Sequence, residues 1–166
     1  QCDGGDDAQA QDHEDPAQAH EPTLQGRLLF VRGGQQMRDA PELRSYIPVR
    51  DPVAALEAWK ADRGATILLT IGGSIDPEHN PPVDLECKVW QRIETQWGKT
   101  SILQHKGIHI ILTELPYPAY FATDFTDLGL NLWKADIVVV KNLFPFRFRL
   151  AKYNRRTVNV ITRGIT

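Results

Sequence analysis

The feature that most constrains the fold is a series of short apolar runs, rich in β-branched residues and ended by glycine, proline or charge. Residues 65–71 form one such run, which stops at Gly72 and Gly73, and residues 137–140 form another. Runs of this length and composition are typical of buried β-strands. Because a membrane-spanning helix needs about 20 consecutive apolar residues, these runs predict strands and exclude a spanning helix.

Other patterns indicate antiparallel pairing. Residues 83–89 alternate apolar and polar side chains, as expected for a half-buried antiparallel strand. Residues 101–104 and 108–113 predict a hairpin whose turn contains Gly107. Weaker strand patterns cover residues 24–31 and 157–162.

Short helices are predicted between the strands. Asp51 can cap a helix that begins at Pro52 and that Gly64 ends. One or two helical turns are predicted within residues 120–130, and another helix within residues 143–153. The expected fold is α/β or α+β, with a mixed sheet of about six strands and about three short helices.

Charge is distributed very unevenly along the chain. Residues 1–24 contain seven acidic and no basic residues, whereas residues 133–166 contain eight basic residues and one acidic residue. We therefore expect a disordered acidic tail over residues 1–23 and a single domain over residues 24–166. The basic C-terminal part is either a solvated face with local ion pairs or a surface that meets an anionic ligand.

The overall charge also limits the partners and the location. The net charge of -2 does not favour nucleic acid as a partner. The acidic N-terminus lacks the basic and apolar regions of a secretory signal, so a cytoplasmic location is expected, with no membrane partner.

The histidines do not form a recognisable metal motif. His105 and His109 are four residues apart, but residues four apart on one strand are about 13 Å apart, too far for one zinc ion. His79 lies near Asp76 in a proline-rich loop, where carboxylates are usually solvated. The sequence therefore predicts no metal ligand in this chain.

Nucleophilic catalysis is not predicted either. Gly72, Gly73 and Ser74 form only a fragment of a nucleophile elbow. Cys87 falls on the apolar side of an alternating strand and is expected to be a small buried side chain. We predict no catalytic residue within the chain.

Longer segments carry a resemblance to a known family. Residues 135–147, Ala-Asp-Ile-Val-Val-Val-Lys-Asn-Leu-Phe-Pro-Phe-Arg, and 153–160, Tyr-Asn-Arg-Arg-Thr-Val-Asn-Val, resemble the C-terminal domain of the microcystinase C (MlrC) family. The Asp-Pro-Val-Ala-Ala segment from Asp51 and the Gly-Ala-Thr segment from Gly64 are similar to the same family, and the resemblance covers about residues 49–166.

The resemblance implies a zinc-dependent metallopeptidase, a hydrolase that degrades small or unusual peptides such as linearised microcystin. In that family the zinc ligands belong to a larger N-terminal catalytic domain, and no position of this sequence matches them. The implied partners are that N-terminal domain and a small peptide substrate. The chain alone is expected to bind no zinc and to be inactive.

Two basic residues match positions of the family, Lys141 and Arg147. Lys141 follows a buried strand directly, at the end where open sheets present ligand-facing residues. Either residue is a candidate for gripping a peptide carboxylate or for contacting the companion domain, and the alternative for both is a salt bridge or a helix-end contact. The alternative for the whole chain is an interaction module or a truncated remnant, without catalysis, that presents a basic C-terminal face.

Overall fold

The computed structural model describes residues 26–31, 43–141 and 145–161, and the predicted acidic tail lies outside them. Their strands are β1 (Gly26–Val31), β2 (Ser45–Arg50), β3 (Thr66–Ile71), β4 (Val83–Thr95), β5 (Gly98–His105), β6 (Ile108–Thr113), β7 (Ile137–Val140) and β8 (Thr157–Ile161). Their helices are α1 (Pro52–Lys60), α2 (Ala122–Thr126) and α3 (Pro145–Arg149), with one 3-10 turn at Leu132–Lys134.

The strands form one mixed sheet in the order β3-β4-β5-β6-β2-β7-β1-β8. Strand β2 runs parallel to both of its neighbours, β6 and β7, and the other pairs are antiparallel. The predicted mixed sheet with three short helices is confirmed. The described part of the sheet has eight strands rather than about six; the sequence does not predict β2, which contains Pro48.

The sheet is covered on both faces. On one face the alanines of α1, Ala54, Ala55 and Ala58, pack against Leu103 and Leu112. Their small side chains let the helix approach the sheet closely. On the other face, Phe125 of α2 and Phe146 of α3 pack with the β5, β6 and β7 residues Ile102, Ile111 and Val138. The sheet is thus the middle layer between two apolar cores.

Local predictions agree with the structure at several points. The Asp51 side chain caps α1 by accepting a hydrogen bond from the Ala54 amide at 3.1 Å. The β5–β6 hairpin forms as predicted, with Lys106 at a positive φ of 53° in its turn. Cys87 is buried on β4, as the alternating pattern predicts. No helix among the described residues is long and apolar enough to cross a membrane.

Candidate functional site

A cleft opens at the carboxyl ends of the parallel strands. Strand β7 pairs with β2 only at Ser45 and Tyr46. Beyond these residues the two strands separate, and a cavity of about 240 Å³ lies at this end of the sheet. It is lined by Pro48, Arg50, Pro116, Tyr117, Pro118 and Lys141, and we name it the Arg50–Lys141 cleft.

Pro48 fits the β2 strand because of this separation. Proline has no N–H group and is tolerated where a strand edge is unpaired. The β2–β7 pairing ends at Tyr46, two residues before Pro48. The same residue therefore lies in a strand and at the wall of the cleft.

The chain that follows Arg50 fixes the backbone beside this side of the cleft. The next residue, Asp51, donates its backbone N–H to the carbonyl of Thr113 at 3.2 Å. Its carboxylate accepts hydrogen bonds from the amide of Gly72 at 2.8 Å and the hydroxyl of Ser74 at 2.7 Å, as well as from Ala54. The end of β2 is thus tied to both β6 and the loop after β3.

The loop between β6 and α2 forms the apolar wall. Tyr117 is buried, and its hydroxyl donates to the backbone carbonyl of Asp124. Burial raises the pKa of the Tyr117 hydroxyl far above its ordinary value, with a smaller contribution from the carboxylate of Asp124. The hydroxyl therefore stays protonated and hydrogen-bonded to the carbonyl of Asp124 in α2. The aromatic ring is the part of Tyr117 that is left to line the cleft.

Asp124 fixes the same loop from the other side. Its carboxylate accepts hydrogen bonds from the amides of Tyr120 at 3.0 Å and Phe121 at 2.9 Å. Burial raises the pKa of Asp124, while these two amides oppose the shift. Ala119, which precedes Tyr120, adopts a φ of +48°, a conformation that non-glycine residues rarely adopt. The wall is thus tied to α2 by hydrogen bonds.

Two basic side chains line the cleft, Arg50 and Lys141, and none of the described residues that line it is acidic. Two neighbouring cations attract an anion, and the planar guanidinium of arginine can hold a carboxylate by two hydrogen bonds. The arrangement is suited to binding an anionic group beside an apolar one.

The predicted site residues lie at different places. Lys141 follows β7 and lines the cleft, together with Arg50. Arg147 lies on α3, where it is exposed, and it is not among the residues that line the cleft. Sequence reasoning missed Arg50 because it missed β2, whose last residue Arg50 is.

The histidines are separated by the fold. Gln104 pairs directly with His109 across the β5–β6 hairpin, so these two side chains share a face and His105 points to the opposite face. The one-strand distance argued for His105 and His109 does not apply, because the predicted hairpin places them on two strands and on opposite faces. His105 Nδ1 is 2.7 Å from the carbonyl of Glu86.

The described residues do not fit a zinc site. No three of their histidine, cysteine, aspartate or glutamate side chains come together as possible ligands. Two of these side chains do meet, since His79 Nδ1 is 3.2 Å from the Asp76 carboxylate. Since two donors do not make a structural or catalytic zinc site, we derive no chemical step through a metal held by these residues.

His109 is a buried histidine within the core. Its ring meets those of Tyr46 at 5.5 Å and Trp90 at 5.8 Å between centroids, both edge to face. Burial lowers the pKa of His109, and the nearby Arg44 lowers it further. Its Nδ1 has no hydrogen-bond partner among the described residues. His109 is therefore a neutral part of the aromatic packing.

A second cavity, of about 360 Å³, lies beside the 3-10 turn. The described residues that line it are uncharged: Thr126, Gly129, Leu130, Asn131, Leu132, Trp133 and Tyr153. None of them offers a charged group to a ligand.

Comparison with known proteins places the chain in a family. The family model described as MlrC C-terminus matches residues 35–166. The chain belongs to this family. All the residues named as lining the Arg50–Lys141 cleft lie within the region that the MlrC C-terminus family model matches.

The fold is also found in a larger solved structure. The chain is similar to a protein from Mesorhizobium sp. BNC1 described as a candidate metallopeptidase, with 20% sequence identity and a TM-score of 0.64. The match covers 71% of this chain and 26% of the Mesorhizobium chain. The MlrC C-terminus domain therefore spans about a quarter of that relative. No curated protein matches the chain.

Proposed function

We propose that this chain is the C-terminal domain of a metal-dependent peptidase and that its Arg50–Lys141 cleft faces the substrate. The observation that carries the proposal is the position of the cleft, with its two cations, at the carboxyl ends of the parallel strands. In open sheets this end is where ligands bind. Membership of the MlrC C-terminus family and the fold shared with a candidate metallopeptidase support the peptidase assignment.

The size of the cleft agrees with a shared site. Its volume of about 240 Å³ is below the roughly 300–1,000 Å³ of complete small-molecule sites. It can hold one end of a ligand and leave the rest to another domain. The proposed substrate is accordingly a small peptide, of which linearised microcystin is one example.

The metal belongs to the companion part of the enzyme in this proposal. Zinc bound there would activate a water molecule for attack on the peptide bond. The described residues of this chain bind and orient the substrate instead. The peptide chemistry is therefore a property of the whole enzyme, and the domain alone is inactive.

Arg147 has a separate role in the proposal. It is exposed on α3, next to Phe148, whose side chain is 86% exposed. A large exposed aromatic residue beside a cation is typical of a protein contact surface. We assign Arg147 to contact with the companion domain.

The first test is the metal content and activity of the purified chain. Plasma mass spectrometry after dialysis against zinc should find far less than one zinc per chain. Hydrolysis of a linear peptide should be absent with or without a chelator. One zinc per chain together with chelator-sensitive cleavage would overturn the proposal, since the catalytic site would then lie in this domain.

The second test uses the intact Mesorhizobium protein. Its peptide hydrolysis should be sensitive to a chelator. Replacing the residue that superposes on Lys141 with glutamine should lower kcat/KM while leaving the metal content unchanged. Absence of chelator-sensitive hydrolysis would contradict the peptidase assignment, and an unchanged kcat/KM would contradict the assignment of the cleft to substrate.

A further inference from the structure

We infer that the free edge of β3 is a self-association surface, along which two copies of this chain pair antiparallel. Strand β3 lies at one end of the sheet, and β4 is its only strand neighbour among the described residues. In the dimer, Leu68 of one copy lies opposite Leu68 of the other. Strands β4, β5 and β6 separate β3 from β2, so this surface does not include the Arg50–Lys141 cleft.

The backbone of β3 directs every second residue toward the free edge. Val89 donates its N–H to the carbonyl of Ala65 at 2.8 Å, in continuation of the β3–β4 register. Because bonded and non-bonded pairs alternate along an antiparallel ladder, every second residue from Ala65 onward bonds to β4. The residues between them direct their N–H and C=O groups to the free edge: Thr66, Leu68 and Thr70.

The other side of β4 gives the same assignment. Glu86 pairs with Leu68, and its carbonyl oxygen is 2.7 Å from Nδ1 of His105 on β5. The Glu86 carbonyl therefore points away from β3, as expected for a non-bonded pair. The N–H and C=O groups of Leu68 accordingly face the edge, where another strand can bind them.

The sequence of β3 is self-complementary in this arrangement. Residues 66–71 read Thr-Ile-Leu-Leu-Thr-Ile. When two copies pair antiparallel about Leu68, Thr66 of each copy lies opposite Thr70 of the other, so all the edge-facing residues meet one another. Two hydrogen bonds for each bonded pair give about six between the copies. A two-fold dimer requires such self-complementarity, because both copies offer the same surface.

The side chain of Leu68 is left uncovered by the fold. It is 76% exposed, the highest value for a large aliphatic side chain among the described residues, whereas Leu69 on the opposite face is 7% exposed. Directly opposed residues have Cβ atoms about 5.5 Å apart, so Leu68 of a second copy would cover it. The Thr70 hydroxyl donates to the Asp84 carboxylate at 2.6 Å, which fixes the threonine that would meet Thr66.

Strand β3 lacks the features that protect sheet edges. Edge strands in natural proteins commonly carry charge or proline, which prevents pairing with other chains. None of the six residues of β3 is charged or proline. At the other end of the sheet, the exposed Arg155 and Arg156 directly precede β8. The β3 edge is therefore the one suited to pairing, and its use by both copies closes the assembly as a dimer.

Sedimentation velocity of the purified full chain at increasing concentration tests the inference. Six residues a side is fewer than the roughly 20–30 of a standard interface, so a reversible dimer with a dissociation constant of about 10 μM or weaker is expected. The sedimenting species should change from one chain to two and no further. Hydrogen exchange gives a local readout, because the amides of Thr66, Leu68 and Thr70 should exchange more slowly in the dimer.

Two substitutions of Leu68 test the register. Leu68→Lys and Leu68→Glu each place like charges opposite one another and remove the leucine contact, so each should dimerise at least about tenfold more weakly. An equimolar mixture of the two variants places opposite charges together and should dimerise about threefold or more tightly than either alone. Circular dichroism and thermal unfolding should confirm that both variants are folded, since Leu68 is exposed.

The matched control is Phe148→Lys. Phe148 is 86% exposed on α3, so this variant replaces a similarly exposed apolar side chain with a charge at a place outside β3. Its dimerisation should equal that of the natural chain. Loss of the dimer in Phe148→Lys together with its retention in Leu68→Lys would assign self-association to α3 instead.

Other results would also overturn the inference. A monomer at every concentration up to about 1 mM would exclude a second copy as the occupant of this edge. Growth into species larger than a dimer would contradict the closed pairing. Unchanged exchange of the edge-facing amides, or a mixture of the charged variants that pairs no better than its components, would contradict the register. None of these measurements depends on metal or hydrolysis, so their failure is separate from failure of the proposed function.

Discussion

The carboxylate of Asp51 accepts a hydrogen bond of 2.8 Å from the backbone amide of Gly72, 21 residues further along the chain. The same carboxylate caps α1 through Ala54 and binds the hydroxyl of Ser74. One side chain therefore joins the start of a helix to the loop that follows β3. Because Asp51 follows Arg50, this junction also fixes one side of the cleft.

Replacing Asp51 with alanine should destabilise the fold strongly. The substitution removes a helix cap and leaves the buried amide of Ala54 and the partly buried amide of Gly72 without an acceptor, which should cost about 2–4 kcal/mol. Urea denaturation measures the change. The matched control is Asp62→Ala, because the Asp62 side chain is 96% exposed and should contribute less than about 0.5 kcal/mol. Similar losses for the two variants would contradict the role of Asp51.

His109 should make stability depend on pH. Its pKa in the folded chain is lower than 6.5, so above that pH both the folded and unfolded states are neutral and stability is complete. Below pH 6.5 the unfolded state takes up a proton first, and the free energy of unfolding should fall by at most about 1.4 kcal/mol per pH unit. The decrease stops at the folded-state pKa.

Denaturation at pH 8, 6 and 5 measures this effect. His109→Phe keeps an aromatic ring between Tyr46 and Trp90 but cannot titrate, so it should lose less stability over this range than the natural chain. His105→Gln is the control and should behave as the natural chain does, since His105 lies on the other face. An unchanged pH dependence in His109→Phe would show that another group is responsible.

Tyr117→Phe should separate the stability of the cleft wall from its ability to bind. Loss of the hydroxyl leaves the carbonyl of Asp124 without its donor and should lower stability by about 1–2 kcal/mol. The ring remains, so the affinity of the purified chain for a linear tripeptide such as acetyl-Ala-Ala-Ala, measured by calorimetric titration, should change by less than about twofold, a small free-energy difference. A large loss of affinity in a folded variant would indicate that the hydroxyl contacts the ligand.

The two phenylalanines of α3 provide a matched pair. Phe146 is 0% exposed and Phe148 is 86% exposed. Phe146→Ala should cost about 3–5 kcal/mol because it leaves a cavity in the core, whereas Phe148→Ala should change stability by less than about 0.5 kcal/mol. Thermal and urea unfolding measure both values. Comparable losses would mean that Phe148 packs against the fold in solution.

Sequence patterns predict the elements whose formation depends on residues close together in the chain. The alternation of residues 83–89 predicts the antiparallel strand β4 and the burial of Cys87, and both are confirmed. Asp51 and Pro52 predict the start of α1 because capping depends on a few adjacent residues. The fold class follows from these elements.

Elements stabilised by distant partners were not predictable. Strand β2 lies parallel between β6 and β7, which are far from it in sequence, and its Pro48 argues against a strand in any local window. The faces on which His105 and His109 lie follow from the register of the β5–β6 hairpin, which the predicted turn does not specify by itself.

The sequence by itself determined the strand-rich fold class, the capped first helix and the candidacy of Lys141, because each depends on neighbouring residues and their periodicity. Only the tertiary structure decided that Arg50 joins Lys141 and that Arg147 does not. The two cations are 91 positions apart in the numbering. They lie at one cleft because parallel pairing brings the carboxyl ends of β2 and β7 to the same edge of the sheet.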